Sequence, residues 1–541
     1  MLIIRVKWLK AVDYKLLRLL ADFVGYDSEL NLYVYRLNPV KAAKMGLDRV
    51  LEIANRLNVY IPLEVRKVIK QLSDRDVDAY FVLEKPDIVL YTHSNRLISE
   101  LRSEGLIKWD SRSGTFRLKP IDLHKVLNVV TGDGLRYELG FNLDYRLSFT
   151  PRLKVKLRDY QVKALNSWIN GGCRGVIALP VATGKTIIAL KAIEYLKVKT
   201  LILVPTIDLL NQWYEVLIKK LGVPVNRIGV FGGGKREINE ITVMTYDSAS
   251  INLENYPTYF GLVIADECHH AVSPSYRRAL ELITAPYRMG LTATPLRSNG
   301  LHKYYGRIIG GIIYRMDHRV LQEEGYLAKH REKRIYIELS DSELREYYRL
   351  MNIYLEYCRR NLPKVKDPKL RFKKVLELAA KDPKAREALR AKHKARQIAL
   401  NAERKIKVIE ELLKEYPNEK IIIFSRYTDV IRKISRRFLI PRILHDTPKD
   451  ERKEYLKLFR EGKIRVLATA MALDEGVDVP DASIAIIISG TGSHREYVQR
   501  LGRILRPKEK EALLIELITK KTVEPSLAKR RRRFQIFLEE E

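Results

Sequence analysis

The sequence has 541 residues, of which 46% are apolar, and its formal net charge is +33. This length predicts three or four domains, and this charge predicts a polyanionic partner, most economically nucleic acid, with a basic solvated surface as the alternative. Three widely spaced cysteines, the lack of any long apolar run and the lack of a signal-peptide pattern exclude a disulfide framework, a membrane span and export, and favour a cytoplasmic protein.

The first 150 residues mix helical patterns with short strand-like runs and contain no catalytic motif. We expect an N-terminal α/β region over residues 1–75 and a second region over residues 76–150. Within the second region, the stretch "LIKWDSRSGTFRLK" has a polar Ser-Gly turn between two alternating segments, which predicts a β-hairpin.

From residue 176 the chain alternates short apolar runs with helical lengths. The runs are "GVIALP", "TLILVP", "ITVMTY", "LVIAD" and "MGLTAT", and four more follow later: "KIIIFS", "IRVLATA", "SIAIIIS" and "ALLIELI". This alternation predicts two α/β units in tandem, each a parallel sheet with helices on both faces. We place the first at residues 151–310 and the second at residues 311–340 and 406–541. Between them, residues 341–405 hold 19 Lys and Arg against 9 Asp and Glu, which predicts a basic helical insertion.

The stretch "LPVATGKT", Leu179 to Thr186, lies directly between a predicted strand and a predicted helix. That context favours a phosphate-binding loop, because backbone N–H groups and a helix N-terminus together attract phosphate. Lys185 would reach the β- and γ-phosphates, and the Thr186 hydroxyl would bind magnesium. The strict pattern has glycine where Leu179 stands, and Ala182 occupies a position often filled by Gly or Ser.

About 80 residues later, the run "LVIADECHH" ends in Asp266 and Glu267. An Asp at the carboxyl edge of a sheet is well placed for magnesium beside a phosphate loop, and Glu267 would then polarise the attacking water. Zinc is the alternative for Cys268, His269 and His270, but adjacent side chains diverge on a strand end and no second cluster completes four ligands. The two histidines are interpreted as coupling residues, with ordinary packing as the alternative.

The ordered motifs resemble those of superfamily 2 helicases, and specifically the XPB family in its archaeal form. In chain order they are "LRDYQ", "LPVATGKT", "LILVPTIDLLNQW", "TVMTYDSA", "DECHH", "LTATP", "IIIFSRY", "VLATAMALDEGVDVPDAS" and "SHREYVQRLGRILRP". The resemblance covers nearly the whole chain after residue 158. It implies two RecA-like domains, a thumb-like character for the insertion and a damage-recognition-like character for residues 76–150.

The resemblance also implies roles for individual residues. Catalytic residues are Lys185, Asp266, Glu267, Arg503 and Arg506, the last two as arginine fingers. The ATP site comprises Arg158, Gln161, Leu179, Pro180, Val181, Ala182, Thr183, Gly184, Lys185, Thr186, Gly476, Asp478, Arg503 and Arg506. Coupling residues are His269, His270, Thr292, Thr294, Gln499 and Arg500. Magnesium would be held by Thr186 and Asp266, and Thr206 and Thr245 would contact nucleic acid, with helix capping as their alternative role.

ATP and Mg²⁺ are therefore the expected cofactors, and neither zinc nor an iron–sulfur cluster is expected. The resemblance implies a DNA helicase or duplex translocase with 3'-5' polarity, acting in repair or transcription, nucleoid-associated if archaeal, and with a nuclease partner. Arg297, Ser298 and Asn299 stand where the family usually has an Arg-Glu-Asp loop associated with duplex opening. This departure favours translocation on duplex DNA without unwinding. An RNA substrate, a nuclease-loading ATPase and an architectural DNA-binding subunit are the remaining alternatives.

Overall fold

The structure is a computed structural model that describes residues 2–7, 11–181, 183–295, 300–326, 330–470, 482–489 and 512–529. The chain divides into two compact units, one of residues 1–177 and 186–314, the other of residues 178–185 and 315–541. Among the described residues, none of the helices combines the length and apolar character needed to cross a bilayer.

Two small sheets precede the first of the larger sheets. The first has the order β1-β3-β2 and is built from β1 (Ile3–Val6), β2 (Ala21–Asp27) and β3 (Leu32–Leu37), with helices α1 (Ala11–Leu20), α2 (Pro39–Met45), α3 (Leu47–Arg56) and α4 (Leu63–Asp74). The second has the order β6-β7-β5-β4-β8 and is built from β4 (Ala79–Glu84), β5 (Asp87–Thr92), β6 (Lys108–Asp110), β7 (Thr115–Leu118) and β8 (Tyr137–Leu139), with α5 (Asn95–Ser103) and α6 (Leu123–Gly132). Strands β6 and β7 pair antiparallel, which confirms the predicted hairpin.

The next sheet carries the stretches "LPVATGKT" and "LVIADECHH" and has eight strands in the order β12-β11-β13-β10-β14-β15-β9-β16. They are β9 (Arg174–Ala178), β10 (Thr200–Val204), β11 (Ile228–Gly232), β12 (Lys235–Arg236), β13 (Ile241–Thr245), β14 (Leu262–Asp266), β15 (Tyr287–Thr292) and β16 (Ile312–Arg315), with helices α7 (Asp159–Asn170), α8 (Lys185–Leu196), α9 (Ile207–Leu221), α10 (Tyr246–Asn252), α11 (Pro274–Glu281) and α12 (Tyr305–Ile308). The parallel pairings of β10 with β13 and β14, and of β14 with β15, confirm the predicted parallel arrangement for the central strands. The short edge strand β12 departs from the prediction, because it pairs antiparallel with β11.

Strand β16 belongs to this sheet although it follows the predicted domain end at residue 310. The N–H of Val176 on β9 donates to the carbonyl of Gly311 at 2.8 Å, and this pairing extends the first α/β unit by one edge strand. The run "GIIYR" is short, and its residues are exposed or half-buried in the structure, so it lacks the long apolar pattern of a buried strand.

The second large sheet has six strands in the order β17-β22-β21-β18-β20-β19. They are β17 (His330–Ile337), β18 (Ile421–Phe424), β19 (Arg442–Ile443), β20 (Val466–Thr469), β21 (Ile484–Ile487) and β22 (Ala512–Thr519), with α13 (His318–Glu323), α17 (Glu403–Glu415), α18 (Thr428–Phe438) and α19 (Lys449–Arg460). All the pairings recorded in this sheet are parallel, as predicted for the second α/β unit.

Between β17 and α17 the chain forms only helices: α14 (Asp341–Asn361), α15 (Pro368–Leu378) and α16 (Pro383–Leu400). Small side chains of α16, including Ala391, Ala395 and Ala399, pack against Tyr347 and Leu350 of α14. Alanine side chains let α14 and α16 approach closely, and the contact between the two helices forms a separate hydrophobic core. The insertion is therefore a helical body, and its resemblance to a thumb stays a prediction.

Candidate active site

The loop between β9 and α8 wraps around its own lysine. The Lys185 ammonium donates to the carbonyl oxygens of Leu179 and Pro180, each at 3.0 Å, and the Thr183 hydroxyl donates to the Pro180 carbonyl at 2.7 Å. Gly184 has φ +72°, a left-handed conformation that glycine adopts without steric cost, and the first turn of α8 begins immediately after it. A positive side chain thus lies beside the N-terminus of a helix, which is the arrangement that phosphate requires.

Asp266 is the last residue of β14, on a strand that neighbours β15 in the sheet, while β9 neighbours β15 on the other side. Its side chain is almost entirely buried, yet both carboxylate oxygens are bonded. Oδ2 accepts the indole N–H of Trp213 at 2.8 Å, and Oδ1 accepts the backbone N–H of Glu267 at 3.0 Å. Carboxylate oxygens held at a strand end are hard donors of the kind that magnesium prefers, so this residue fits a metal-ligand role.

Glu267 turns the chain sharply after β14. Its φ is +45°, a left-handed conformation that costs a non-glycine residue roughly 1–3 kcal/mol and that persists where the surroundings impose it. The turn is closed by the N–H of His270, which donates to the Glu267 carbonyl at 3.0 Å. The Glu267 carboxylate lies beside the His269 imidazole.

A short polar network joins this turn to β15. His269 Nδ1 lies 3.3 Å from a Glu267 carboxylate oxygen and 3.2 Å from the Thr292 hydroxyl, and that hydroxyl accepts the N–H of Thr294 at 3.0 Å. The imidazole is almost completely buried. The structure therefore brings together four of the residues assigned from the sequence, and their mutual distances could not be inferred from any local pattern.

His270 and Cys268 have different surroundings. The His270 ring lies 4.5 Å from the His269 ring and 5.9 Å from the Tyr246 ring, measured between centroids. Cys268 is fully buried, and burial raises the pKa of its thiol far above the ordinary value, with the nearby carboxylates of Glu267 and Asp266 acting in the same direction. The thiol is therefore protonated in these surroundings.

Gln161, a predicted ATP-site residue, is buried on the first turn of α7. Its side-chain oxygen accepts the backbone N–H of Arg158 at 2.9 Å and so closes the N-terminus of the helix. Both predicted nucleic-acid residues also cap helices. The Thr206 hydroxyl accepts the N–H of Leu209 at the start of α9, and that of Thr245 accepts the N–H of Ser248 at the start of α10, each at 3.3 Å.

Other assigned residues lie outside the described part of the chain. They are Ala182, Gly476, Asp478, Gln499, Arg500, Arg503 and Arg506, together with the Arg297-Ser298-Asn299 stretch. Their roles stay predictions.

Sequence reasoning missed two aromatic residues at the site. Trp213 lies on α9, 53 positions before Asp266, and its indole N–H bonds the carboxylate. Tyr246 opens α10, and its hydroxyl donates to the Asp266 carbonyl at 2.8 Å. Both residues lie in stretches that the sequence analysis singled out, Trp213 at the end of "LILVPTIDLLNQW" and Tyr246 in "TVMTYDSA", but the pairing of β10 with β13 that places them together is visible only in the fold.

Two family models match the chain, one described as the res subunit of type III restriction enzymes over residues 154–297, the other as the helicase conserved C-terminal domain over residues 404–508. A relative from Sulfurisphaera tokodaii, named DNA 3'-5' translocase XPB2, is 45% identical over 382 residues, which are 70% of this chain and 85% of that protein. The chain belongs to the XPB family.

Two further members of the family are more distant. A putative DNA 3'-5' helicase Rad25 from Haloarcula marismortui is 31% identical over 70% of this chain and 55% of its own length. The DNA 3'-5' helicase XPB from Mycobacterium tuberculosis is 28% identical over 70% of this chain and 63% of its own length. The chain thus spans under two thirds of these two relatives.

Among solved structures, the helicase domain of Pyrococcus furiosus Hef matches with a TM-score of 0.50 and 20% identity, over 69% of this chain and 97% of that one. At this identity the likeness concerns the fold alone. It agrees with two tandem α/β helicase domains.

Proposed function

We propose that this protein is an ATP-driven motor that moves 3'-5' along DNA, with ATP hydrolysis at the β9–α8 loop and the β14 terminus. The observation that carries the proposal is the network from Glu267 through His269 to Thr292, in a chain 45% identical to a named DNA 3'-5' translocase. A carboxylate that is linked by hydrogen bonds to the adjacent strand can respond to changes elsewhere in the sheet.

Lys185 binds the β- and γ-phosphates of ATP in this proposal. Its ammonium exchanges the carbonyl oxygens of Leu179 and Pro180 for phosphate oxygens, and the N-terminus of α8 adds the field of its free N–H groups. Gln161 reads the adenine ring, with Arg158 beside it. Magnesium, held by the Asp266 carboxylate and the Thr186 hydroxyl, supplies neutralisation of the charge that develops on the phosphate oxygens.

Glu267 accepts a proton from the attacking water. Such a base contributes about 10²–10⁴-fold to a reaction rate, and the left-handed turn at this residue fixes where its carboxylate points. Arg503 and Arg506 stabilise the charge of the transferring phosphoryl group from the second α/β unit, by resemblance to the family. An arginine finger contributes about 10³–10⁵-fold to the rate, so efficient hydrolysis would require Arg503 and Arg506 to contact the phosphoryl group.

The DNA-binding surface is proposed from chemistry that recognises phosphate. The N-termini of α9 and α10 offer N–H groups to a strand's backbone beside Thr206 and Thr245, whose hydroxyls cap these helices. The basic insertion offers lysine and arginine. These contacts provide affinity and salt dependence but carry little sequence information. A nuclease partner and a repair or transcription role follow from family resemblance alone.

Translocation on duplex DNA without strand separation is the second candidate function. The observation that favours it is the Arg297-Ser298-Asn299 stretch in place of the family's Arg-Glu-Asp loop.

The deciding experiment measures the ATPase rate of the full chain without nucleic acid and with duplex DNA, single-stranded DNA, forked DNA and RNA. A DNA motor is stimulated by DNA and not by RNA. Equal rates in all five conditions, or stimulation by RNA alone, would contradict the proposal.

A further inference from the structure

A buried tryptophan donates a hydrogen bond to the proposed magnesium ligand. Trp213 lies two turns into α9 and is 2% exposed, and its Nε1 is 2.8 Å from Oδ2 of Asp266, which is 8% exposed. An indole N–H is a donor only, so it serves the carboxylate without competing for a proton. A hydrogen bond to an ionised acceptor is roughly twice as strong as one between neutral groups, and burial strengthens it further.

Asp266 is held at its other oxygens as well. Oδ1 accepts the N–H of Glu267 at 3.0 Å, and the main-chain carbonyl accepts the Tyr246 hydroxyl at 2.8 Å. Tyr246 is fully buried, so this hydrogen bond is shielded from water. Each of the helices that follow β10 and β13 therefore directs one aromatic donor at the same residue.

A neutral donor suits this position better than a cation would. Lysine or arginine beside Asp266 would neutralise the carboxylate and weaken its attraction for a divalent ion. The indole N–H instead fixes the torsion of the carboxylate and leaves its charge in place. Partners that orient metal ligands in this manner are typically worth 10–100-fold in metal affinity.

We propose that Trp213 is a positioning residue that sets the orientation of the Asp266 carboxylate for magnesium–nucleotide binding. The proposal rests on the proposed ATPase function, because it assumes that Asp266 holds the metal. Trp213 contacts neither substrate nor metal and acts through Asp266 alone. Its effect is therefore confined to binding that requires magnesium.

The test compares Trp213→Phe with a matched control, Trp168→Phe. Trp168 is fully buried on α7, and its Nε1 donates to the Arg288 carbonyl at 2.9 Å, so both variants lose one buried indole hydrogen bond of similar length. The measurement is the dissociation constant of a fluorescent ADP analogue, taken once with Mg²⁺ and once with EDTA. The ratio of the two constants reports how much magnesium tightens binding, without any turnover.

We expect Trp213→Phe to reduce that ratio by roughly tenfold or more, with the EDTA constant unchanged. Trp168→Phe should keep the wild-type ratio even if it lowers the melting temperature. In steady-state hydrolysis, raising the magnesium concentration should restore much of the Trp213→Phe rate. An unchanged ratio in Trp213→Phe, or an equal loss in both variants, would overturn the proposal.

A second variant covers the case in which Trp213→Phe does not fold. A 3-benzothienyl-alanine placed at position 213 by amber suppression keeps the ring shape but replaces the N–H with sulfur. It should reproduce the reduced ratio, and a wild-type ratio would refute the positioning role. Failure of the proposed function has a different result, since the wild-type protein would then bind the nucleotide analogue neither with Mg²⁺ nor with EDTA.

Discussion

At the scale of single residues, Lys185 offers the most direct test of nucleotide chemistry. We predict that Lys185→Ala lowers ATP hydrolysis by at least roughly 10²-fold, because one charge-stabilising donor of this kind is worth that much. Duplex affinity, measured by fluorescence anisotropy, should stay near the wild-type value, because Lys185 is not among the residues proposed to contact DNA.

Lys191→Ala is the control for this variant. Lys191 lies on the same helix, is partly exposed and pairs with Glu194, so its loss removes equal charge without touching the loop. It should hydrolyse ATP at the wild-type rate. Near-normal hydrolysis by Lys185→Ala would mean that the loop does not bind phosphate.

Glu267 allows the base and metal-ligand roles to be separated. We predict that Glu267→Gln still binds ATP with magnesium but hydrolyses it about 10²–10⁴-fold more slowly, because the amide keeps the shape but cannot accept the proton of the attacking water. The assay is single-turnover hydrolysis beside equilibrium binding of ATP. Loss of magnesium-dependent binding would instead assign Glu267 as a ligand of the metal.

The sequence indicated which residues belong to this candidate site but not how they contact each other. Lys185, Asp266 and Glu267 could be identified from the sequence because each belongs to a local pattern in which a predicted strand is followed by a loop. The contact of Trp213 with Asp266 was not accessible, because it joins residues 53 positions apart through the pairing of β10 with β14. The left-handed conformation of Glu267 is likewise imposed by the surrounding fold, since glutamate has no intrinsic preference for it.

At the scale of elements, the helical insertion presents its charge mainly on α15 and α16. Helix α15 exposes Lys369, Lys373 and Lys374 beside the apolar side chains Leu370 and Leu376. Behind it, the Lys392 ammonium lies 4.0 Å from the Tyr354 ring centroid and 4.5 Å from that of Phe372, and burial lowers its pKa to about 8. The lysines of α15 are thus available to phosphate, whereas Lys392 is part of the helical core.

A buried ion pair at the C-terminal end of the insertion limits which deletions the protein would tolerate. Lys405, within α17, is fully buried and donates to both carboxylate oxygens of Glu524, at 2.9 and 2.8 Å. Removing one partner of such a pair costs about 3–5 kcal/mol, because the other charge stays buried. A deletion of residues 341–405 would therefore perturb the second sheet, and charge neutralisation is the cleaner experiment.

We predict that replacing Lys369, Lys373 and Lys374 by glutamine weakens duplex binding and makes its salt dependence shallower. Each phosphate contact that is lost reduces the slope of log K against log salt by about 0.9. Hydrolysis without DNA should be unchanged, and stimulation by DNA should fall. The measurement is duplex affinity over a series of salt concentrations.

The control replaces three exposed basic residues outside the insertion, Arg49, Lys67 and Lys70 of α3 and α4, by glutamine. It changes the net charge equally and should alter the slope less. If the α15 variant keeps the full slope and the full stimulation by DNA, the insertion does not contact DNA, and docking of a protein partner becomes its better explanation.

Sequence patterns found most central strands of the two large sheets and missed the edge strands of those sheets. The runs that became β10, β14, β18 and β21 are short and apolar because both faces of those strands are buried. Strand β17, "HREKRIYI", is an edge strand with mostly exposed charged residues, so its composition resembles a loop or helix. Its partner, β22, lies 182 positions away in register, which no local pattern reveals.

At the scale of the whole molecule, residues 76–150 make several contacts with the α/β unit that contains the first large sheet. The Arg307 guanidinium makes a bidentate ion pair with the Asp122 carboxylate, which is buried at the start of α6. Ile121 belongs to the same hydrophobic core as residues of the sheet, and the Tyr145 and Thr284 hydroxyls lie 2.7 Å apart. We therefore expect residues 76–150 and the first α/β unit to move together when the protein moves along DNA.

The net charge of +33 favours binding through DNA phosphates. This mode of binding is relevant to whether ATP hydrolysis drives translocation alone or also strand separation. A motor that binds mainly phosphates can follow one strand of an intact duplex, whereas strand separation also requires an element that inserts at the fork. The family associates that step with an Arg-Glu-Asp loop, and this chain has Arg297, Ser298 and Asn299 there. The sequence therefore favours movement along duplex DNA over unwinding.

We predict that the protein displaces the third strand of a DNA triplex in the presence of ATP and magnesium, but separates a forked duplex far more slowly. Triplex displacement reports movement alone, because the third strand leaves without opening Watson–Crick pairs. The double substitution Ser298→Glu with Asn299→Asp should raise fork separation and leave triplex displacement unchanged, while Lys185→Ala should abolish both. Fast fork separation by the wild-type chain would show that duplex opening does not depend on the acidic residues of that loop.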